Sequence, residues 1–357
     1  MKHRIIVIVS LLIVTGLFFG SGIIINSKKE ISEKVLTSIA GTSNVKMLKS
    51  EEPTLVPLPQ KQATYQSPIS TTLESRPQSK YIKLLFLGDI MLGRYVRTLM
   101  NKNHDQNYAF AKAHPSTGPG TNFLKSYFDR VIANLEGPIV PNPNNAQTGT
   151  NFGFAPDTAQ IIKNNGIDIV TVANNHTLDQ GQKGFASTLE YLLQAKIKYF
   201  GHPILPIESD TLYETISGKK FAFIGFHDAT HHLDDQAAAK LIQKISPSVD
   251  YTIVAIHWGI EYKKTPSPRQ QQLAHLFIDS GASLIIGHHP HIPQTTEIYN
   301  GAPIVYSLGN FIFDQYWSDA TQHGLTIEAV FSTDPLDRTI QIFEHPIDLY
   351  KSQPIWK

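Results

Sequence analysis

The sequence predicts an α/β fold preceded by an N-terminal transmembrane helix and a flexible tether. Three observations predict it. Residues 5–25 carry no charge, residues 41–80 are rich in Pro, Ser, Thr and Gln, and from residue 81 short Val/Ile-rich runs alternate with amphipathic stretches. Alternation of that kind points to strands and helices layered in one α/β sheet system.

Residues 5–25 are mostly Ile, Val, Leu and Phe and follow Lys2 and Arg4. A bilayer core of ~30 Å needs about 20 such residues in a helix. The run is longer than the h-region of a cleaved signal, and only Ser38-Ile39-Ala40 weakly resembles a cleavage site. Residues 1–27 therefore read as a signal anchor, with a cleaved signal peptide as the alternative. Lys28, Lys29 and Lys34 on the far side weaken the orientation rule. Residues 28–80 read as a tether. Pro53, Pro57, Pro59, Pro68 and Pro77 punctuate a stretch with no lasting helical or strand period. Residues 81–357 then form the folded domain.

The strand-like runs are IKLLFL (82–87), RVIAN (130–134), IDIVTVA (167–173), KFAFIGF (220–226), YTIVAI (251–256), SLIIG (283–287) and PIVYSL (303–308). Their near-continuous apolar character suits strands covered on both faces. Helical stretches lie between them at 156–164, 184–196, 234–245 and 268–280, the first stopping at Gly166 and the last at Gly281. Residues 325–331 and 339–343 read as late antiparallel strands.

Composition narrows the chemistry. The chain has 357 residues, no cysteine and a formal charge of +1, from 31 basic and 30 acidic residues. Disulfides, thiolate metal sites and cysteine nucleophiles are excluded. The balanced charge gives no basic stripe for nucleic acid, and no G-x-x-x-x-G-K loop supports nucleoside-triphosphate chemistry. Histidine, at 15 residues, is abundant.

Most of the runs end in a polar motif. Gly88-Asp89-Ile90-Met91, Asn134-Leu135-Glu136, Asn174-Asn175-His176, His257-Trp258-Gly259, Gly287-His288-His289-Pro290-His291 and Ser307-Leu308-Gly309-Asn310-Phe311 each close or succeed a strand-like run. Ligands of open α/β sheets bind beyond the carboxyl ends of the strands. Two acids, an Asn-His pair, a lone His and an H-x-H converging there are oxygen and imidazole donors suited to Zn, Mn, Fe or Ni. Each motif alone also fits a turn, a cap or a core histidine, and the combination carries the reading. His275 reads as structural, and His227, His231 and His232 follow a strand and read as a surface loop, with entry into the cleft as the alternative.

Taken in order, GDIMLGR, NLEGPI, ANNHTLDQG, HWGIEY, GHHPH and SLGNF, over residues 84–313, resemble the CapA-type capsule (poly-γ-glutamate) biosynthesis family of the calcineurin-like metallophosphoesterase superfamily. The resemblance implies a four-layer α-β-β-α sandwich with Asp89, Glu136, Asn175, His257, His289 and His291 as metal ligands. It implies His176 as the acid that meets the leaving group. It also shows a departure, because Met91 stands where the superfamily's first motif has a histidine. A thioether is a poor ligand for a hard ion. One ion, on Glu136, Asn175, His257 and His289, is then expected to be well held. A second, on Asp89, Glu136 and His291, is expected to be weak or absent.

Arg94 is placed to pair with an anionic substrate, or else in a surface salt bridge. Trp258 and Glu261 are expected to line the cleft and bind substrate, with plain packing as the alternative for Trp258, and Asn310 is expected to contact substrate or to fix a loop near the site. The sequence thus predicts a membrane-anchored, extracytoplasmic metal-dependent hydrolase of capsule production, acting on a phosphoester or a γ-glutamyl amide. The alternative is a non-catalytic polymer-binding or export subunit, with capsule synthase or export proteins as partners. A secreted phosphodiesterase unrelated to capsule is a third reading.

Overall fold

The computed structural model describes residues 63–66, 80–113, 123–143 and 149–357. The anchor at 1–27 and most of the tether at 28–80 lie outside the described residues. Among those described, no helix is long and apolar enough to cross a membrane. One strand, Ala63–Gln66, falls inside the stretch read as tether and pairs in parallel with residues 340–343.

In chain order the strands are β1 (Ala63–Gln66), β2 (Tyr81–Ile90), β3 (Arg130–Leu135), β4 (Ile169–Thr171), β5 (Lys198–Phe200), β6 (Leu212–Ile216), β7 (Lys219–His227), β8 (Tyr251–His257), β9 (Leu284–His288), β10 (Thr296–Tyr299), β11 (Ala302–Val305), β12 (Asn310–Ile312), β13 (His323–Ser332), β14 (Ile340–Tyr350) and β15 (Gln353–Trp356). The helices are α1 (Arg94–Lys102), α2 (Phe123–Tyr127), α3 (Thr158–Asn164), α4 (Gly181–Gln194), α5 (Asp235–Ile245) and α6 (Pro268–Asp279). One sheet runs β1-β14-β13-β2-β3-β4-β5, with β12 beside β2 and β15 beside β14. The other runs β10-β11-β9-β8-β7-β6.

The two-residue period of a strand divides its side chains between two faces. On β2, Ile82, Leu84 and Phe86 join Phe221, Phe223, Ile253 and Leu284 of the other sheet in a core between the sheets. Leu85 and Leu87 point the other way, onto Val96 and Met100 of α1 and Ile161 and Ile162 of α3. Ile224, Val254 and Ile256 pack on Ile242 of α5 and Phe277 of α6. The layers are thus helix, sheet, sheet, helix, and both strand faces are buried, as the continuous apolar runs require.

Local chemistry fixes the helix ends. Asp234 caps α5 by accepting the Ala237 N–H at 3.0 Å. Ser267 and Gln270 form a capping box at α6, with Pro268 at its first position. The late strands are antiparallel as read, β13 pairing with both β14 and β2. The run 303–308 is not one strand. β11 ends at Val305, the Ser307 hydroxyl donates to Ile292 O and accepts the Gly309 N–H, and β12 begins at Asn310.

Candidate metal centre

The parallel strands β2, β3 and β4 of one sheet and β7, β8 and β9 of the other end at the same edge. The polar motifs meet there. β12 slides in beside β2 at this end, pairing Asn310 with Asp89, where the β2–β3 register shifts. That irregularity turns Asp89 into the cleft, a common use of a bulge at a site.

Asp89 is fully buried and its carboxylate is saturated. Its Oδ1 accepts from Asn134 Nδ2 at 2.8 Å and from His288 Nδ1 at 3.0 Å, and its Oδ2 accepts the His289 N–H at 3.4 Å. Burial alone raises such a carboxyl. Here the hydrogen bonds from the His288 and His291 rings and their electrostatic pull outweigh it and hold Asp89 well below the usual range. Glu136, equally buried, is the opposite case. Burial first, then the charges of Asp89 and Glu261, push it well above its ordinary value. Its Oε1 has no hydrogen-bond partner.

His291 Nδ1 lies 3.0 Å from Asn310 Oδ1, while Asn310 Nδ2 donates to Gln315 Oε1 and Thr321 O. The amide oxygen therefore accepts, and His291 carries its proton on Nδ1. The lone pair of Nε2 then faces Glu136 Oε1 at 3.6 Å. Two buried acceptors facing each other need a positive charge between them, a proton or a cation. Asn175 Oδ1 is likewise buried without a partner. His257 and His289 face each other through Nε2 and Nδ1 at 3.1 Å. Burial, reinforced by the neighbouring imidazole, holds His257 well below its ordinary pKa and His289 down to about 3. Both rings are neutral at physiological pH, the form that binds metal.

These donors fall into two groups, Asp89, Glu136 and His257, and Glu261, His289 and His291. Within each, one donor atom per residue lies within 4.8 Å of the others. The resemblance had placed His289 with His257 and Asp89 with His291, so the structure divides the set differently. The chemistry of the set fits a divalent ion: one ionised carboxylate, one carboxyl that a cation can deprotonate, neutral imidazoles and orphaned oxygens.

His176 sits at the rim. Its Nδ1 lies 2.8 Å from Asp179 Oδ2 and its Nε2 4.0 Å from Glu136 Oε1, and its ring stacks on Phe152 at 3.9 Å. Asp179 also accepts the Phe152 N–H at 2.6 Å, so one carboxylate orients both rings. Arg94 is in an ion pair with Asp314, donates to Gly149 O at 2.8 Å and lies over the rings of Phe152 and Phe313. The pair is largely buried beside the cleft rather than on the surface. Its Nε remains buried without a hydrogen-bond partner.

Two expectations are corrected. Trp258 does not line the cleft. It is fully buried in the outer core, stacked on Tyr306, with its indole N–H donated to Tyr306 O at 2.9 Å. His227 does not sit in a surface loop. It is buried, bonded to Pro203 O at 2.8 Å, with its ring centroid 5.9 Å from that of His257. Asn310 follows its positioning reading, holding His291 and bonding Gln315 and Thr321, and Glu261 is exposed on the loop after β8. His275 is structural, bound to Glu297 and stacked on Tyr299.

Asn134, His288 and Asp179 also shape the site. Asn134 reaches Asp89, Glu136 and His257 at once and accepts from Asn174 Nδ2 at 3.0 Å. All three stood inside or beside the quoted motifs, but their roles depend on strand register and side-chain direction.

The family described as bacterial capsule synthesis protein PGA_cap matches residues 83–315. Capsule biosynthesis protein CapA of Bacillus anthracis is 31% identical over 263 residues, covering 68% of this chain and 62% of that one. The chain thus spans less than two thirds of that relative's length. PGA biosynthesis protein CapA of Bacillus subtilis (strain 168) is 28% identical over 288 residues, covering 75% and 72%. A solved hypothetical protein from Thermus thermophilus shares 17% identity at a TM-score of 0.43, over 77% of this chain and 96% of that one, too distant to carry an inference. The matched span is well over half of the chain and holds all six metal-ligand candidates together with His176 and Arg94, and the chain belongs to the bacterial capsule synthesis (PGA_cap) family.

Proposed function

We propose that this chain is a membrane-anchored, extracytoplasmic hydrolase of capsule or poly-γ-glutamate production, with a divalent transition-metal ion (Mn, Zn or Fe) at its centre. The observation that carries the reading is Glu136 Oε1, buried without a hydrogen-bond partner, 3.6 Å from His291 Nε2 and grouped with Asp89 and the neutral ring of His257. Asp89, Glu136 and His257 would hold the tighter ion, the unpartnered Asn175 oxygen is a further candidate donor, and His289 and His291 complete the cleft. When bound, such an ion supplies Lewis acidity and brings a water's pKa toward neutral.

The rest falls to side chains. Asp179 fixes His176 with a proton on Nδ1 and turns Nε2 inward, where a protonated ring gives its proton to the leaving group. Phe152 holds the ring plane. Arg94, anchored by Asp314, presents a guanidinium edge to an anionic substrate, either a phosphoester or a γ-linked glutamate chain. Residues 5–25 would keep the domain at the membrane, beside synthase or export partners.

The test is metal content and turnover in the detergent-purified chain. His257→Ala should lose the tight ion. His176→Ala should keep the ion and lose turnover of phosphoester and γ-glutamyl substrates by about 10²-fold or more. Turnover retained in that variant would refute the assignment of the acid. Met91 favours a second reading, a polymer-binding subunit without catalysis, because it removes one histidine from the superfamily's set. Tight ion binding with no turnover in the wild type would select it.

A further inference from the structure

Met91 contributes nothing to the cleft. It is fully buried in the core beneath α1, and its Sδ accepts the Gly93 N–H at 3.2 Å. A different residue stands on the opposite wall. Glu261 offers a carboxylate oxygen that, with one ring nitrogen each from His289 and His291, makes a three-donor group within 4.8 Å.

The backbone builds this group. His289 and His291 have φ of 95° and 59°, left-handed values that non-glycine residues adopt at a cost of ~1–3 kcal/mol each. The turn they form is tied to the loop that carries Glu261, because Tyr262 N–H donates to Pro290 O at 2.9 Å. The Tyr262 ring then stacks over His291 at 6.1 Å. The unpartnered oxygen of the first group borders this one. Glu136 Oε1, buried and without a hydrogen-bond partner, faces His291 Nε2 at 3.6 Å.

We propose that Glu261, His289 and His291 form a second, weaker divalent-cation site in the cleft, with Glu261 supplying the donor that Met91 does not. The proposal rests on the reading of the cleft as a metal centre. Bonds of ~2.0–2.2 Å to a common ion put neighbouring donors about 3–4 Å apart, so the group closes by about an ångström on binding. Glu261, exposed on its loop, is the residue free to make that movement, since both rings are buried.

The test titrates Mn²⁺ into the full-length chain in detergent, reading stoichiometry by elemental analysis and affinities by calorimetry. Wild type should take two ions of unequal affinity. Glu261→Gln, which keeps the side chain's size, should keep the tight ion and bind the second about tenfold or more weakly. His257→Ala should lose the tight one instead. Two ions bound with unchanged affinities in Glu261→Gln, or one ion in wild type and variant alike, would overturn this site and leave the first standing. A wild-type chain that takes no Mn²⁺ would overturn both.

Discussion

His227 shows what one side chain in the wall of the cleft does to the whole stability curve. Burial, only partly opposed by the Pro203 carbonyl, pushes its pKa down to about 4, against 6.5 for the free ring. Between those values the unfolded chain binds the proton and the folded chain does not, so stability falls as pH drops from 6.5 to 4. The full effect is on the order of 3 kcal/mol. His289, pushed down to about 3, acts in the same direction over a window that reaches about one pH unit lower. Glu136, pushed up, acts in the opposite one. Comparing variants isolates the His227 share. The melting temperature of the ion-free chain should fall more gently below pH 6.5 in His227→Gln than in wild type, and parallel curves would refute the account. The same residue marks how far the sequence could be read. Asp89, Glu136 and the H-x-H were legible because each follows an apolar run, and strand ends set sites in α/β sheets. His227 also ends its strand, yet nothing in GFHDATHH separates a buried ring from an exposed one. Asn134 is harder still, since it reaches Asp89 only because the β2–β3 register puts the two side by side.

At the scale of elements, the crossing of β2 and β12 governs the site. A Cβ on Gly88 would lie 2.1 Å from Gly309 O, and Gly309 itself has a φ of +67° with Pro293 2.9 Å from its own missing Cβ. Neither strand can yield without moving the other. Asp89 follows Gly88, and Asn310, which orients His291, follows Gly309. Gly88→Ala should therefore cost about 1–3 kcal/mol by overpacking and lower ion content together with stability. Ser267→Ala, which removes a cap bonded to Gln270 and to none of the ligand candidates, should cost about 1 kcal/mol and leave the tight ion in place. Chemical denaturation with elemental analysis reads both, and a Gly88→Ala chain as stable as wild type would refute the packing argument. The inner strands β2, β3, β4, β7, β8 and β9 were legible because burial on both faces writes a continuous apolar run, whereas β5, β6, β10 and β15, short and at the margins of the sheets, went unread. Helix α1 left the weaker trace of Val96, Leu99 and Met100 in nine residues and went unread. β1 left none, because its partner β14 lies almost the whole chain away and parallel pairing has no local signature.

For the whole molecule, the open question is what would hold it at a membrane, and charge settles which forces are available. With 31 basic against 30 acidic residues the chain has no excess with which to bind an anionic surface. Such binding gains only about 1 kcal/mol per basic residue and is lost within a Debye length in salt. A run of 21 uncharged residues at 5–25 would act differently as an anchor, since burying it in hydrocarbon does not depend on ionic strength. The expected result comes from that contrast. After expression in a bacterial host, the full chain should stay in the membrane pellet through washes in molar salt and alkaline carbonate, and detergent should release it. The same chain without residues 1–27 should appear in the soluble fraction. Intact mass separates anchoring from processing, because a cleaved signal leaves a mature chain that begins near residue 41 and sheds into the medium. A full-length chain that washes off with salt would contradict the anchor and leave the metal centre as the only part of the proposal still to be tested.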